Sequence, residues 1–341
     1  RCRTMLIFQR MQILCAALLL GVSSVLVGCG SARQAPTDDE NLVVVYNCGA
    51  EDWTDPIAKE FQEETGIRVQ LVDGTSDALM TRIRTEQENP RGDVLWGGVE
   101  DVYLSLTSYL ASYDCPEEGA LRSDYVGGDK AYYLITEDPY VLAYNTDLID
   151  AEDAPTGWSD LFKSRFRGRI ALADPTKSLV SYDVIMTMMD VLGGDNALIS
   201  RMEDQLDGHM VSASAEQVKA VVSGAYAVTA TAEQPVLRSR SAGAHIEVVY
   251  PREGTRVSAT GVAIIKNAPH IENAKKFLDF VMSRRVHERL GVYERRSTRA
   301  DVTAPPNLPT LAEIHSTRFD ARHAAAFRDE FLSEWRAAVI K

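Results

Sequence analysis

Short turns of glycine and hydroxyl residues carry most of the chemistry this sequence can offer. Asn47, Cys48, Gly49 and Ala50 follow one apolar run, Gly74, Thr75 and Ser76 a second, and Trp96, Gly97 and Gly98 a third. Thr176, Ser178 and Ser181 gather after a fourth run ending at Ala173, and Thr229, Thr231 and Glu233 close a fifth. Serine and threonine hydroxyls donate as well as accept hydrogen bonds. Two of these turns also open helices, where unpaired N–H groups and the helix dipole favour an anion. Helix capping accounts for any one turn alone; their recurrence points to non-covalent capture of a small ligand.

Motifs for bond-breaking chemistry are missing. The sequence contains no GxSxG, HExxH, GxxxxGK[ST] or GxGxxG pattern, and its six histidines show no i,i+4 pair. With no CxxC and no Cys/His cluster, a zinc site lacks support. The expectation is a protein that is not an enzyme, holds no cofactor and has no resident metal. At 341 residues, 45% hydrophobic and 25% charged, the chain has ordinary globular composition. Its net charge of −13 argues against nucleic acid, whose phosphates require clustered Lys and Arg.

The turns need a scaffold to hold them, and the apolar pattern supplies one. Strands are expected at Leu42 to Tyr46, Arg68 to Val72 and Asp93 to Trp96, alternating with a helix that starts at Thr54-Asp55-Pro56 and another after Gly74-Thr75-Ser76. A second cycle has strands at Tyr140 to Tyr144, Ile170 to Ala173, Ala227 to Ala230 and Ile246 to Tyr250. Its helices begin near Ser159 and Ser181 and at a capping box of Ser214 with Gln217. Gly261 to Ile265 reads as a strand with no helix before it, Ile271 to Met282 as an amphipathic helix, and Leu311 to Ile340 as a helical tail. Alternation of this kind makes an α/β fold with a mostly parallel sheet. In such sheets ligands bind beyond the carboxyl ends of the strands, where the turns lie.

The first segment is read as a targeting signal. Arg3 and Arg10 precede an apolar run of about 15 residues, short of the ~20 that span a bilayer. It ends in Leu26-Val27-Gly28-Cys29, which resembles a lipoprotein lipobox, so residues 1–28 are expected to be removed and Cys29 lipidated. Residues 29–41 then form a polar tether. Cys48 and Cys115 would remain in an oxidising compartment, free to bridge only if their Cα atoms come within ~7 Å.

Behind that signal the chain resembles the extracytoplasmic solute-binding proteins of ABC importers, in the branch associated with ferric iron and with phosphonates or organophosphates. The resemblance rests on Val44-Val45-Tyr46-Asn47, Phe61 to Ile67, Gly92 to Gly98, Gly168 to Pro175 and Glu272 to Phe280, in that order. It implies a two-lobed periplasmic-binding-protein-like fold of type II, with crossing strands as hinge and ligand in the cleft. The expected lobes are 42–138 with 261–300, and 139–260, followed by a C-terminal helical tail over 301–341. The iron branch places a tyrosine pair after the strand read at Ala227 to Ala230, where this chain has Thr231-Ala232-Glu233.

The resemblance therefore favours a small organic phosphate or phosphonate, bound by Asn47, Gly49, Ala50, Thr75, Ser76, Trp96, Gly97, Gly98, Thr176, Ser178, Ser181, Thr231 and Glu233. The alternative is ferric iron with a synergistic anion, and a secreted enzyme ranks third. Glu233, Asp183 or Glu51 would meet an amine or sugar hydroxyls, and Arg238 or Arg252 a phosphate. The expected partners are the transmembrane subunits of an ABC permease and, through the lipid on Cys29, the outer face of the cell membrane; the receptor itself is expected to be a monomer. Mass spectrometry of the membrane fraction should find lipid on Cys29, and Cys29→Ser should release soluble or unprocessed protein; a lipid-free wild type would overturn this reading.

Overall fold

Alternate residues of the first strand, β1 (Leu42–Asn47), enter two different cores. Side chains alternate across a strand, and both faces here are covered by helices. The computed structural model describes residues 40–49, 51–194 and 197–339, so the signal segment, Cys29 and Ala50 lie outside the described residues. After β1 come α1 (Glu51–Thr65), β2 (Arg68–Asp73), α2 (Ser76–Thr85), β3 (Val94–Val99) and α3 (Glu100–Leu106). Both β2 and β3 pair with β1 in parallel. Helix α1 begins before the expected Thr54 start and contains Pro56; Thr54 is buried and its hydroxyl accepts from the Asn47 amide at 3.0 Å instead of capping.

A run of short turns leads into β4 (Tyr133–Asn145), every residue of which is buried. It is followed by β5 (Ile170–Ala171), α4 (Leu179–Leu192), α5 (Ala197–Leu206), α6 (Ser214–Val222), β6 (Val228–Ala232), α7 (Glu233–Ser241) and β7 (Ile246–Val249). The long β8 (Thr255–Ile264) returns antiparallel to β4, from Tyr133↔Val262 to Pro139↔Val257. Last come α8 (Ile271–Met282), α9 (Arg284–Arg289), β9 (Arg296–Ser297), β10 (Ser316–Arg318) and α10 (Ala321–Val339). The strand path is β2-β1-β3-β8-β4-β6-β5, with β10 on β8 and β7 and β9 on β4. The first half of β4 joins β8 and β9, and its second half joins β6 and β7. It is thus the strand shared by both halves of a curled α/β sheet, whereas β8 pairs, among the described residues, only with β3, β10 and the first half of β4. The pairings are mixed, not mostly parallel as expected, because β4 runs antiparallel to all its partners and β8 antiparallel to β3 and β4.

Several local expectations change. The segment after Ser159 forms two 3-10 turns, Trp158–Phe162 and Ser164–Phe166, rather than an α-helix. Ser214 makes no cap; Ala213 stands at that position, and Gln217 turns inward to bond the Ala230 carbonyl at 2.8 Å and the Ser181 hydroxyl at 3.1 Å. The tail is a strand followed by a helix, and Phe331, Leu332 and Trp335 of α10 pack into the second-half core with Tyr182 and Ile185. Cys48 and Cys115 are free thiols that pack against opposite faces of the first-half sheet.

Asp93, fully buried, knits the first half together: its carboxylate accepts from Val44 N and His270 N at 2.7 Å each, and meets His270 Nδ1 at 2.9 Å. Removing it strands buried donors, so Asp93→Ala should cost about 3 kcal/mol or more in urea unfolding.

Candidate functional site

The first-half turns come together at the ends of β1, β2 and β3. Asn47 anchors them: its amide donates to Asp73 at 2.7 Å and its carbonyl oxygen accepts from Gly49 N at 2.9 Å. Gly97 and Gly98 both have φ of +78°, a conformation that favours glycine. Pairing of β3 with β8 is interrupted between Trp96 and Val99, where these glycines lie. A Cβ on Gly97 would fall 2.4 Å from Gly49 N, so the two turns meet backbone to backbone. One on Gly98 would touch Ser76 Oγ and Cys48 Cβ, each at 3.4 Å. Burial pushes the Cys48 thiol up to about 11, which keeps it protonated and unreactive there.

Other expected site residues have work of their own. Thr75 caps α2, accepting from Ala78 N at 3.3 Å, and Ser178 caps α4, accepting from Ser181 N at 3.1 Å. The Ser181 hydroxyl is buried against Gln217. Thr176 N donates to Asp174 in the turn that opens α4, and Thr231 is buried near the end of β6. The Trp96 ring does not face a ligand as a side wall: it is fully buried, edge-on to Trp53 at 5.0 Å and to Phe277 at 5.3 Å.

Glu233 is likewise taken. Its two oxygens accept from Arg296 Nε and Nη2 at 2.8 Å each, and Tyr250 donates to it at 2.6 Å. This buried pair ties the start of α7 to β9. Beside it, Asp138 of β4 accepts from Gln234 N at 3.2 Å, and burial raises its carboxyl to about 6. Arg295 and the ion pair of Asp52 with Arg238, 3.1 Å apart, stand close by. That pair joins α1 to α7, bridging the two halves beside the first turn. Sequence reasoning passed over Asp52, Asp138 and Arg295; the only signal was charge within or beside otherwise apolar runs.

Across the hinge, Asp183 of α4 accepts from the Tyr140 hydroxyl at 2.7 Å while its other oxygen is buried without a partner. Asp101 of α3 shares with it a cavity of ≈ 10 Å³, room for about one water. Burial raises both carboxyls; the neighbouring Glu100 charge adds to the rise at Asp101, to about 7, the Asp101 charge adds to it at Asp183, and Arg328 opposes both. No group of three His, Cys, Asp or Glu among the described residues is arranged to hold a metal ion.

Residues 108–318 match the family model described as bacterial extracellular solute-binding protein. The chain is similar to iron uptake protein A1 of Synechocystis, 26% identical over 76% of this chain and 78% of that one. It is also similar to a putative 2-aminoethylphosphonate-binding periplasmic protein of Salmonella typhi, 22% identical over 79% and 82%. Among solved structures it is similar to the periplasmic binding protein AfuA of Actinobacillus pleuropneumoniae with fructose-6-phosphate bound. The TM-score is 0.78 at 22% identity, covering 87% of this chain and 98% of that one, which shows a shared fold.

The facing carboxyls generate a pH test. Raised in the fold, they ionise less readily there than in the unfolded chain, so stability falls as pH rises from about 4 through Asp101's value near 7. Asp183→Asn keeps an acceptor for Tyr140 and removes the repulsion. Thermal melts should show it more stable than wild type at pH 8, by at least about 1.4 kcal/mol, the worth of one pKa unit, with a smaller difference at pH 5.

Proposed function

The chain belongs to the bacterial extracellular solute-binding proteins, and from that premise we propose that it captures a small organic phosphate or phosphonate between its two halves and passes it to an ABC permease. The observation that carries this reading is the balance of donors and acceptors at the strand ends. Carboxylates there are already occupied, Asp73 by Asn47 and Glu233 by Arg296 and Tyr250. The other polar groups there are the glycine backbone of Gly97 and Gly98, the Ser76 hydroxyl, which meets the Cys48 thiol, and the opening turn of α4, where Thr176 N donates to Asp174. Ligand oxygens suit such a lip, and a ferric ion, which wants hard anionic ligands, does not. The proposed lobes are 42–138 with 261–300, and 139–260. The receptor performs no chemistry of its own, works as a monomer, and is held outside the cytoplasm by lipid on Cys29.

A thermal-shift screen of the purified chain with 2-aminoethylphosphonate, fructose 6-phosphate, inorganic phosphate, ferric citrate and spermidine tests this. A phosphorus compound at about 100 times its dissociation constant should add about 2.7 kcal/mol of stability. A visible charge-transfer band with ferric citrate and no response to phosphorus would put the iron reading in its place.

A further inference from the structure

We propose that the Arg295 guanidinium, lying over the Trp53 ring beside the Gly49 turn, is the cationic contact for the ligand's phosphoryl group. The proposal rests on the phosphoryl reading above and names the residue that would neutralise the charge.

Three buried arginines stand within five residues, and two of them are fully engaged. Arg296 donates twice to Glu233 and once to the Pro309 carbonyl. Arg299 donates to Asp301, to Glu117 and to the Met282 carbonyl. Arg295, only 8% exposed, has a buried Nε with no partner. A buried donor without a matching hydrogen bond costs free energy, so Arg295 holds in its unpartnered Nε a donor that an incoming anion would satisfy. Its planar fork suits a phosphoryl group bidentately.

The surroundings place this contact at the turn already described. The guanidinium carbon lies 4.7 Å from the Trp53 ring centroid, in cation–π range. Trp53 Nε1 is also buried without a partner. A Cβ on Gly49 would be 3.1 Å from Trp53 Cζ2, so the ring that carries Arg295 on its face borders the first turn with its edge. The Asp52–Arg238 pair, whose side chains are 32% and 57% exposed, stands nearer to solvent and bridges α1 to α7. The carboxyl of Asp138 acts on Arg295 electrostatically and competes with any bound anion. No added cluster of lysines is needed, which reconciles anion binding with a chain of net charge −13.

Calorimetry on the full chain with 2-aminoethylphosphonate, fructose 6-phosphate and inorganic phosphate, at one pH and one ionic strength, tests the assignment. Losing a charged hydrogen-bond donor should weaken the tightest of these by roughly ten- to a hundredfold in Arg295→Gln, with Arg295→Lys in between. Asp138→Asn should bind the same compound several-fold more tightly; it carries the test if circular dichroism shows that Arg295→Gln fails to fold. Wild-type affinity in Arg295→Gln, or no tightening in Asp138→Asn, overturns the role of Arg295 while leaving the phosphoryl receptor intact. A wild type that binds none of the three compounds overturns both.

Discussion

Strand β4 has to satisfy two sheets with one backbone, and the rest of the molecule is arranged around that demand. Its first half needs β8 and β9 as partners, and its second half needs β6 and β7. All of its residues are buried, although Glu137 and Asp138 lie at its centre. Charge in that position is tolerable only with partners brought from elsewhere. Arg122 and Tyr125 supply them for Glu137, and the start of α7 supplies them for Asp138. A hinge between two α/β halves is therefore built from a strand whose polar centre is held by both.

The same logic explains why the carboxylates near the strand ends are engaged within the protein. Glu233 begins α7, where negative charge is favoured by the free N–H groups, and it also neutralises Arg296 on β9. Taking that glutamate for a ligand would strip the buried Arg296 of its counter-charge. Gln217 plays the uncharged counterpart in the second half, linking α4, β5 and β6 through one side-chain amide. Once these duties are assigned, the backbone of Gly97 and Gly98 and a few hydroxyls are the polar groups left at the strand ends, which is the basis of the phosphoryl reading proposed above.

Aromatic packing links the first-half core to Arg295. Phe277 of α8 meets Trp96 of β3, Trp96 meets Trp53 of α1, and Trp53 supports Arg295. The stack runs from the core of the first half to a guanidinium beside the first turn. Large rings with few rotatable bonds hold a charge in place at low entropic cost, so the cation stays in position without ligand present. Facing Asp101 and Asp183 across the hinge, by contrast, oppose close approach of the halves when both are ionised.

Much was legible in the residues alone. The α/β alternation, the core strands, the helix from Ile271 and the glycine turns after β1, β2 and β3 all follow from local rules: apolar period, caps, and the need for φ above zero at Gly97 and Gly98. The resemblance carried by Gly92 to Gly98 and Gly168 to Pro175 pointed to the solute-binding family from the same short-range signals. Only the tertiary structure decided what each polar group does. Thr75 and Ser178 turn out to be caps, Ser181 a buried link, Trp96 a core ring and Glu233 half of an ion pair, because each partner arrives from a distant part of the chain or is set by helix geometry. Arg295 stood out for the converse reason: a missing hydrogen-bond partner, here at its Nε, can be seen only when every neighbour is in place.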